Sequence, residues 1–127
     1  SDPVRVVTVD DFEPFLEVAR EVVLAAPGFE PAREVTCARD ALAAAAEVEP
    51  GLMIVDVHMP EMGGVELTRR IRASHPDVMV VLISARDVAD IASEARDCGA
   101  VDVVRKQDFV PELLTRLWRE HGDIARE

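Results

Sequence analysis

The sequence predicts an α/β domain built on one parallel β-sheet. Short apolar segments alternate regularly with longer amphipathic segments over the 127 residues. The segments at 52–57 and 78–83 are apolar almost throughout, which is typical of strands buried on both faces of a sheet. Alternating strands and helices imply parallel strands joined by right-handed crossovers. We therefore expect a flavodoxin-like, doubly wound sheet of five strands in the order 2-1-3-4-5, with helices on both faces.

The first half of the chain contains two predicted strand–helix units. Residues 4–9 (VRVVTV) are rich in β-branched residues and predict a strand. Residues 12–26 carry apolar side chains at helical spacing, and Pro27-Gly28 ends that helix. A weaker strand is predicted at 32–37, followed by an alanine-rich helix at 39–48.

The second half contains three more units. The segments LMIVDV at 52–57, VMVVLI at 78–83 and VDVV at 101–104 predict strands. Helices are predicted at 65–74, 88–98 and 108–120, and the helix at 88–98 has the weakest apolar stripe. We expect a single domain over residues 1–127, with its core at 4–120 and a tail or the start of a linker at 121–127.

The composition argues against a nucleic-acid-binding or membrane-bound domain. The chain has 14 basic and 25 acidic residues, a net charge of −11, which suits a divalent cation or a basic partner. It contains no signal peptide and no long apolar run, so we expect a cytoplasmic location. Cys37 and Cys98 fit no metal-binding motif and predict partly buried thiols in a reducing compartment.

Five polar residues follow the predicted strands at one edge of the sheet. Asp10 and Asp11 end the first strand, Asp56 the third and Ser84 the fourth, and Lys106 follows the fifth. Ligands of such sheets bind beyond the carboxyl ends of the strands. Three carboxylates in one pocket favour a hard cation such as Mg²⁺. A carboxylate flanked by a metal, an ammonium and a hydroxyl is equipped to accept a phosphoryl group.

Each of these residues also has an ordinary structural explanation. An acidic residue of the Asp10-Asp11 pair would serve as the N-cap of the next helix, Ser84 as a turn residue, and Lys106 as a solvated surface lysine. Three other functions stay open: a Mg²⁺-dependent phosphohydrolase, an interaction domain without phosphoryl chemistry, and a flavodoxin-like cofactor binder. The hydrolase pattern commonly has an acid two residues after its nucleophile, where this chain has His58.

The motifs together resemble the receiver domains of two-component response regulators. The segment 56–64 (DVHMPEMGG) is similar to the family pattern D-x-x-M-P-x-M-x-G, and the acidic pair, Ser84-Ala85, Gly99-Ala100 and Lys106 complete the match. The resemblance covers the chain from end to end. It implies a signalling domain rather than an enzyme acting on a separate substrate. The domain would catalyse its own phosphoryl transfer and its own dephosphorylation.

The resemblance also implies a role for each site residue. Asp56 would be the phosphoacceptor, and Asp10, Asp11, Asp56 and the backbone carbonyl of His58 would bind Mg²⁺. Ser84 and Lys106 would contact the phosphoryl group. The side chains of His58 and Arg86 would tune the access of water to that group, although a solvent-facing loop residue is the plainer interpretation of His58.

Two positions depart from the family pattern. Lys106 is followed by Gln107 where the family usually has proline, which is similar to NarL/FixJ-type receivers. Val103 stands where an aromatic switch residue is common, so rotation of an aromatic ring cannot transmit the signal.

The partners implied are a sensor histidine kinase and an output domain or partner protein. A DNA-binding helix-turn-helix following this segment is one such output. A homodimer would form through the face made by the fourth helix, fifth strand and fifth helix, and this face would also carry the switch. The sequence leaves open whether the domain stands alone.

Overall fold

The computed structural model describes the backbone of residues 2–126 and the side chains of residues 2–122. The strands are β1 (Val4–Val9), β2 (Phe29–Val35), β3 (Leu52–Asp56), β4 (Met79–Ser84) and β5 (Asp102–Arg105). The helices are α1 (Glu13–Ala25), α2 (Ala38–Val48), α3 (Gly64–Ser74), α4 (Ala92–Cys98) and α5 (Pro111–Arg126). A short 3₁₀ turn at Lys106–Asp108 connects β5 to α5.

The predicted fold class is confirmed. The five strands are parallel and lie in the order β2-β1-β3-β4-β5. Every residue of β3 and β4 is buried, because helices cover both faces of these central strands. Among the helices of the described residues, none is both long and apolar enough to cross a membrane.

The helices divide into two layers. On one face, α1 and α5 pack against the sheet through residues such as Phe15, Ala19, Leu114 and Leu117. On the other face, α2, α3 and α4 contribute a second apolar cluster. In α2 these contacts are made by small side chains, Ala41, Ala44 and Ala45, so the helix lies close to the sheet. Burial of both clusters against one sheet provides the main stabilisation of the domain.

Three predicted elements begin three or more residues away from their observed starts. The second strand begins at Phe29 rather than residue 32 because it pairs with β1 from Val4 onward, directly after the Gly28 turn. The fourth helix begins at Ala92 rather than residue 88, and the residues before it form turns, with the Asp87 carboxylate accepting the Ala89 N–H. The last helix begins at Pro111, and its backbone continues through residues 121–126, where we had expected a tail.

Gly64 lets α3 start directly against the end of β3. A Cβ atom at this position would lie 2.3 Å from the carbonyl oxygen of Asp56 and 2.9 Å from the Cα atom of Val57. Both neighbours are backbone atoms in or next to a buried strand, so neither can move aside cheaply. The Gly64 N–H also donates to the Val57 carbonyl at 2.9 Å. The glycine thus fixes the loop that follows Asp56.

We expect Gly64→Ala to lower the free energy of unfolding by about 2 kcal/mol or more, because the methyl group overlaps the backbone. Urea denaturation of the purified domain measures this. Gly63→Ala is the matched control, since its Cβ would meet only one atom, the Val57 carbonyl oxygen at 3.2 Å. Equal stability losses in the two variants would contradict this account of Gly64.

Candidate functional site

The register of the sheet brings the polar strand ends together. Val9 of β1 pairs with Val55 of β3, so Asp10 and Asp56 follow at the same level on adjacent strands. Ile83 of β4 pairs with Asp56, which puts Ser84 one residue beyond that level. Side chains at the same level of neighbouring parallel strands project to the same side. The pocket is therefore a direct product of strand order and register.

Three carboxylates line this pocket. Asp10 is completely buried, Asp56 is buried with 5% of its surface exposed, and Asp11 is exposed. One oxygen from each lies within 4.8 Å of the others. Carboxylate oxygens this close together could bind one cation.

Asp10 is held by contacts to both of its oxygens. Oδ1 accepts the backbone N–H of Phe12 at 2.9 Å, a local turn rather than an N-cap, since Phe12 itself is the N-cap of α1. Oδ2 lies 2.7 Å from the Lys106 ammonium nitrogen, but this close ion pair lacks hydrogen-bond geometry. Among the described residues, Oδ2 is thus a buried oxygen with no hydrogen-bond donor. A buried oxygen of this kind fits a cation ligand.

Lys106 provides the positive charge of the pocket. Its ammonium nitrogen lies 2.7 Å from Asp10 and 3.9 Å from the Asp56 Oδ1 atom, and its side chain is mostly buried. The lysine sits at the start of the 3₁₀ turn directly after β5, and no cis peptide bond occurs among the described residues. An ammonium between two buried carboxylates reduces their mutual repulsion.

Asp56 is protonated more readily than an ordinary aspartate. Burial, followed by the nearby charge of Asp10, raises the pKa of Asp56 from 3.8 to about 7. Lys106 and the backbone N–H of His58 act in the opposite direction and lower this pKa, but they do not fully compensate. The metal-free pocket therefore gathers three carboxylates, two of them buried, around a single ammonium, and a divalent cation would reduce this excess of negative charge.

Ser84 is the last residue of β4, the strand beside β3. The residue is fully buried, and its Oγ accepts the backbone N–H of Arg86 at 3.0 Å. This hydrogen bond uses the oxygen as an acceptor and leaves the hydroxyl proton for a second partner. A donor at this point suits an anionic group attached to Asp56.

The three tuning residues predicted from the sequence lie around this pocket or behind it. His58 and Arg86 are exposed in the loops that follow β3 and β4. Val103 lies in β5, is partly buried and packs against the cluster beneath α2, α3 and α4. It also lines an open groove between the α4 loop and α5, with Val88, Val110 and Leu113.

Sequence reasoning missed two aromatic residues at the site. The rings of Phe12 and Phe15 lie 5.8 and 4.8 Å from the Lys106 ammonium nitrogen, measured to the ring centroids. Their spacing of three at the start of α1 places them on one face of the helix. That spacing does not predict a contact with Lys106. The lysine follows β5, and two strands separate β5 from β1 in the sheet.

Comparison with known proteins identifies the family. The model of the response regulator receiver domain matches residues 6–117. The chain is 36% identical over 124 residues to the transcriptional regulatory protein PrrA of Mycobacterium tuberculosis, covering 95% of this chain and 52% of PrrA. It is 34% identical over 124 residues to a protein-glutamate methylesterase/protein-glutamine glutaminase of Anaeromyxobacter dehalogenans, covering 98% of this chain and 35% of that protein.

Solved structures agree in fold. The signal receiver domain of the response regulator NarL from Mycobacterium tuberculosis superposes with a TM-score of 0.85 at 24% identity, covering 97% of this chain and 98% of that one. A LuxR-family two-component response regulator from Aurantimonas gives a TM-score of 0.85 at 25% identity, covering 98% and 89%. The chain spans about half the length of PrrA and about a third of the length of the methylesterase/glutaminase. With a family match over most of its length and the acidic pocket at the expected sheet edge, the chain belongs to the receiver domains of response regulators.

Proposed function

We propose that this receiver domain accepts a phosphoryl group on Asp56 from the phosphohistidine of a sensor histidine kinase. The observation that carries the proposal is the position of Asp56, a buried carboxylate between two further acids and an ammonium group. In the transfer, an Asp56 oxygen forms a bond to phosphorus while the bond from phosphorus to the kinase histidine nitrogen breaks. That nitrogen keeps the bonding electron pair.

Mg²⁺ is the proposed cofactor, bound by Asp10, Asp11, Asp56 and the backbone carbonyl of His58. The Oδ2 atom of Asp10, which has an ion-pair partner but no hydrogen-bond donor among the described residues, and the proximity of the three carboxylates support this donor set. When bound, the ion neutralises charge on the phosphoryl oxygens. All these donors are oxygen atoms, which is the ligand type that Mg²⁺ prefers.

The remaining site residues act on the phosphoryl group itself. Lys106 pairs with one phosphoryl oxygen, since its ammonium nitrogen already lies 3.9 Å from Asp56, and Ser84 at the end of the neighbouring strand donates its hydroxyl proton to another. Hydrolysis of the acyl phosphate returns the domain to its resting state, when water attacks phosphorus and the Asp56 oxygen leaves. His58 and Arg86, exposed at the rim, tune the access of that water.

Phosphorylation is proposed to change the face formed by α4, β5 and α5. The group adds about two negative charges and three acceptor oxygens, which draw Ser84 and its loop inward. The loop leads to α4, which has only seven residues and is preceded by turns, so this helix is the element that moves. Val103 lines the groove at this face and transmits the change through packing.

The wider context follows from the family. We propose a cytoplasmic two-component system in which residues 1–127 form a single receiver domain, with residues 121–127 leading into a linker. The output is a further domain, such as a DNA-binding helix-turn-helix, or a partner protein, and a homodimer forms through the α4, β5 and α5 face. The net charge of −11 argues against direct binding of nucleic acid or membrane by this domain.

Asp56→Asn should abolish phosphoryl uptake from acetyl phosphate in Mg²⁺, because the amide nitrogen and oxygen cannot replace the attacking carboxylate. Phosphate-affinity electrophoresis measures the uptake. Asp77→Asn, at an exposed carboxyl beyond the opposite edge of the sheet, is the control and should be labelled normally. Undiminished labelling of Asp56→Asn would refute the assignment.

Lys106→Ala should strengthen Mg²⁺ binding by about tenfold while suppressing the response to phosphorylation. Removing an ammonium that contacts Asp10 relieves repulsion of the ion, and a tenfold gain in affinity corresponds to about 1.4 kcal/mol of that repulsion. Calorimetric titration gives the affinity, and amide hydrogen exchange in α4 and β5 gives the response. Arg105→Ala removes the exposed neighbouring cation and should leave both unchanged. A wild-type response in Lys106→Ala would contradict its role.

The raised pKa of Asp56 predicts a distinctive pH dependence of stability without metal. The folded state holds the Asp56 proton up to about pH 7, whereas the unfolded chain loses it near pH 3.8. Relative to Asp56→Asn, wild type should therefore gain stability as the pH falls from 8 toward 4, by at most about 1.4 kcal/mol per pH unit. Urea denaturation in chelator measures the difference. If the difference in free energy of unfolding between wild type and Asp56→Asn did not change with pH, or fell as the pH fell, burial would not disfavour the ionised carboxylate.

A further inference from the structure

Lys106 lies close to two carboxylates and to two aromatic rings. Its ammonium nitrogen is 2.7 Å from Asp10, 4.8 Å from the centroid of Phe15 and 5.8 Å from the centroid of Phe12. Both rings are within the distance at which an aromatic face attracts a cation, about 6 Å. The sequence contains no other lysine, and every other basic side chain apart from histidine is an arginine.

The two rings have different reasons for their positions. Phe15 is buried and packs against Phe109 with a centroid distance of 5.9 Å, so the core accounts for it. Phe12 is 60% exposed, which makes it the most exposed large apolar side chain of the described residues. Burial in this domain does not account for a phenyl ring at that position. Its contact with Lys106 is the interaction that the structure gives this side chain.

Phe12 is also connected to the site through its backbone. Its N–H donates to Oδ1 of Asp10, and the other oxygen of Asp10 contacts Lys106. One residue therefore orients the carboxylate through its backbone and contacts the ammonium through its side chain. A metal ion bound at Asp10 would share the charge of that carboxylate and weaken its hold on Lys106. The ring faces would keep their attraction for the ammonium, since they do not bind the ion.

We propose that Phe12, together with Phe15, is a positioning residue that holds the Lys106 ammonium over the phosphoacceptor. The role rests on the proposed function of Asp56. Lysine loses substantial side-chain entropy when it is fixed in one place, about 1.5–2 kcal/mol, and this loss opposes a defined position. Contact of the ammonium with two aromatic rings compensates for part of this entropy loss. The ammonium then remains near Asp56 when the carboxylate of Asp10 turns to another cation.

The first test observes Lys106 directly. Reductive methylation with ¹³C-formaldehyde puts NMR-visible methyl groups on amines and keeps the positive charge. Because the sequence has one lysine, the spectrum contains one side-chain signal, which Lys106→Arg identifies by its loss. In wild type, ring currents should shift this signal upfield of free dimethyllysine. Phe12→Leu should lose part of the upfield shift, and Phe12→Tyr should retain it.

The second test measures the effect on phosphoryl binding with Mg²⁺ and beryllofluoride, which imitates the phosphoryl group. Phe12→Leu should weaken beryllofluoride binding about two- to fivefold, the loss that corresponds to an exposed cation–π contact. Phe12→Tyr should bind within error of wild type. Leu24→Ala is the control, since Leu24 is a similarly exposed apolar residue near the other end of α1 and should change neither measurement.

The outcomes separate the two proposals. A Lys106 signal that is the same in Phe12→Leu and wild type, or binding that Phe12→Tyr fails to restore, would overturn the role of Phe12. If wild type bound no beryllofluoride while the Lys106 signal still depended on Phe12, the assignment of Asp56 would be wrong. In that case the positioning role would be wrong with it, and only the ring contact would stand.

Discussion

The ion pair between Lys106 and Asp10 is the interaction on which the pocket depends. Asp10 is completely buried and Asp56 almost so, and two adjacent buried carboxylates would repel each other strongly in a medium of low polarity. An ammonium nitrogen 2.7 Å from one carboxylate and 3.9 Å from the other keeps both at the same sheet edge. The compensation is incomplete, because burial, followed by the charge of Asp10, still raises the pKa of Asp56.

The fold supplies this arrangement through strand order. β1 and β3 are adjacent in space although α1, β2 and α2 separate them in sequence, so Asp10 and Asp56 meet at the centre of the sheet. Gly64, the first residue of α3, packs against the backbone of Asp56 and Val57. This close approach confines the loop that carries His58. Asp11, one residue past Asp10, remains exposed and gives the pocket an open side. The site is thus buried at Asp10 and Asp56 and open to solvent at Asp11.

The sequence was sufficient to predict the fold but not every contact of the site. Continuous apolar runs at β3 and β4 and strict alternation with helices determine a parallel sheet, and its carboxyl edge then gathers the polar strand ends. The bounds of β2 and α4 were less certain because β2 is an edge strand with a mixed pattern and α4 is short and weakly amphipathic. The family resemblance implies that Lys106 contacts a phosphoryl group on Asp56, and in this structure its ammonium nitrogen is closer to Asp10 than to Asp56. Which of two neighbouring acids an ammonium contacts depends on side-chain angles that no periodicity encodes.

The proximity of Lys106 to Asp10 has a consequence for how such a domain changes state. Asp10 is proposed to bind the metal ion and is already paired with Lys106, so the metal and the ammonium compete for the same oxygen. A phosphoryl group on Asp56 would offer the lysine a new anionic partner and remove that competition. The ammonium nitrogen is only 3.9 Å from Asp56, so a small movement is enough to exchange partners. Because Lys106 begins the turn that connects β5 to α5, such an exchange would act on the elements beside Val103. In a receiver without an aromatic switch residue, a lysine that changes its charge partner would then reach the same face without rotation of an aromatic ring.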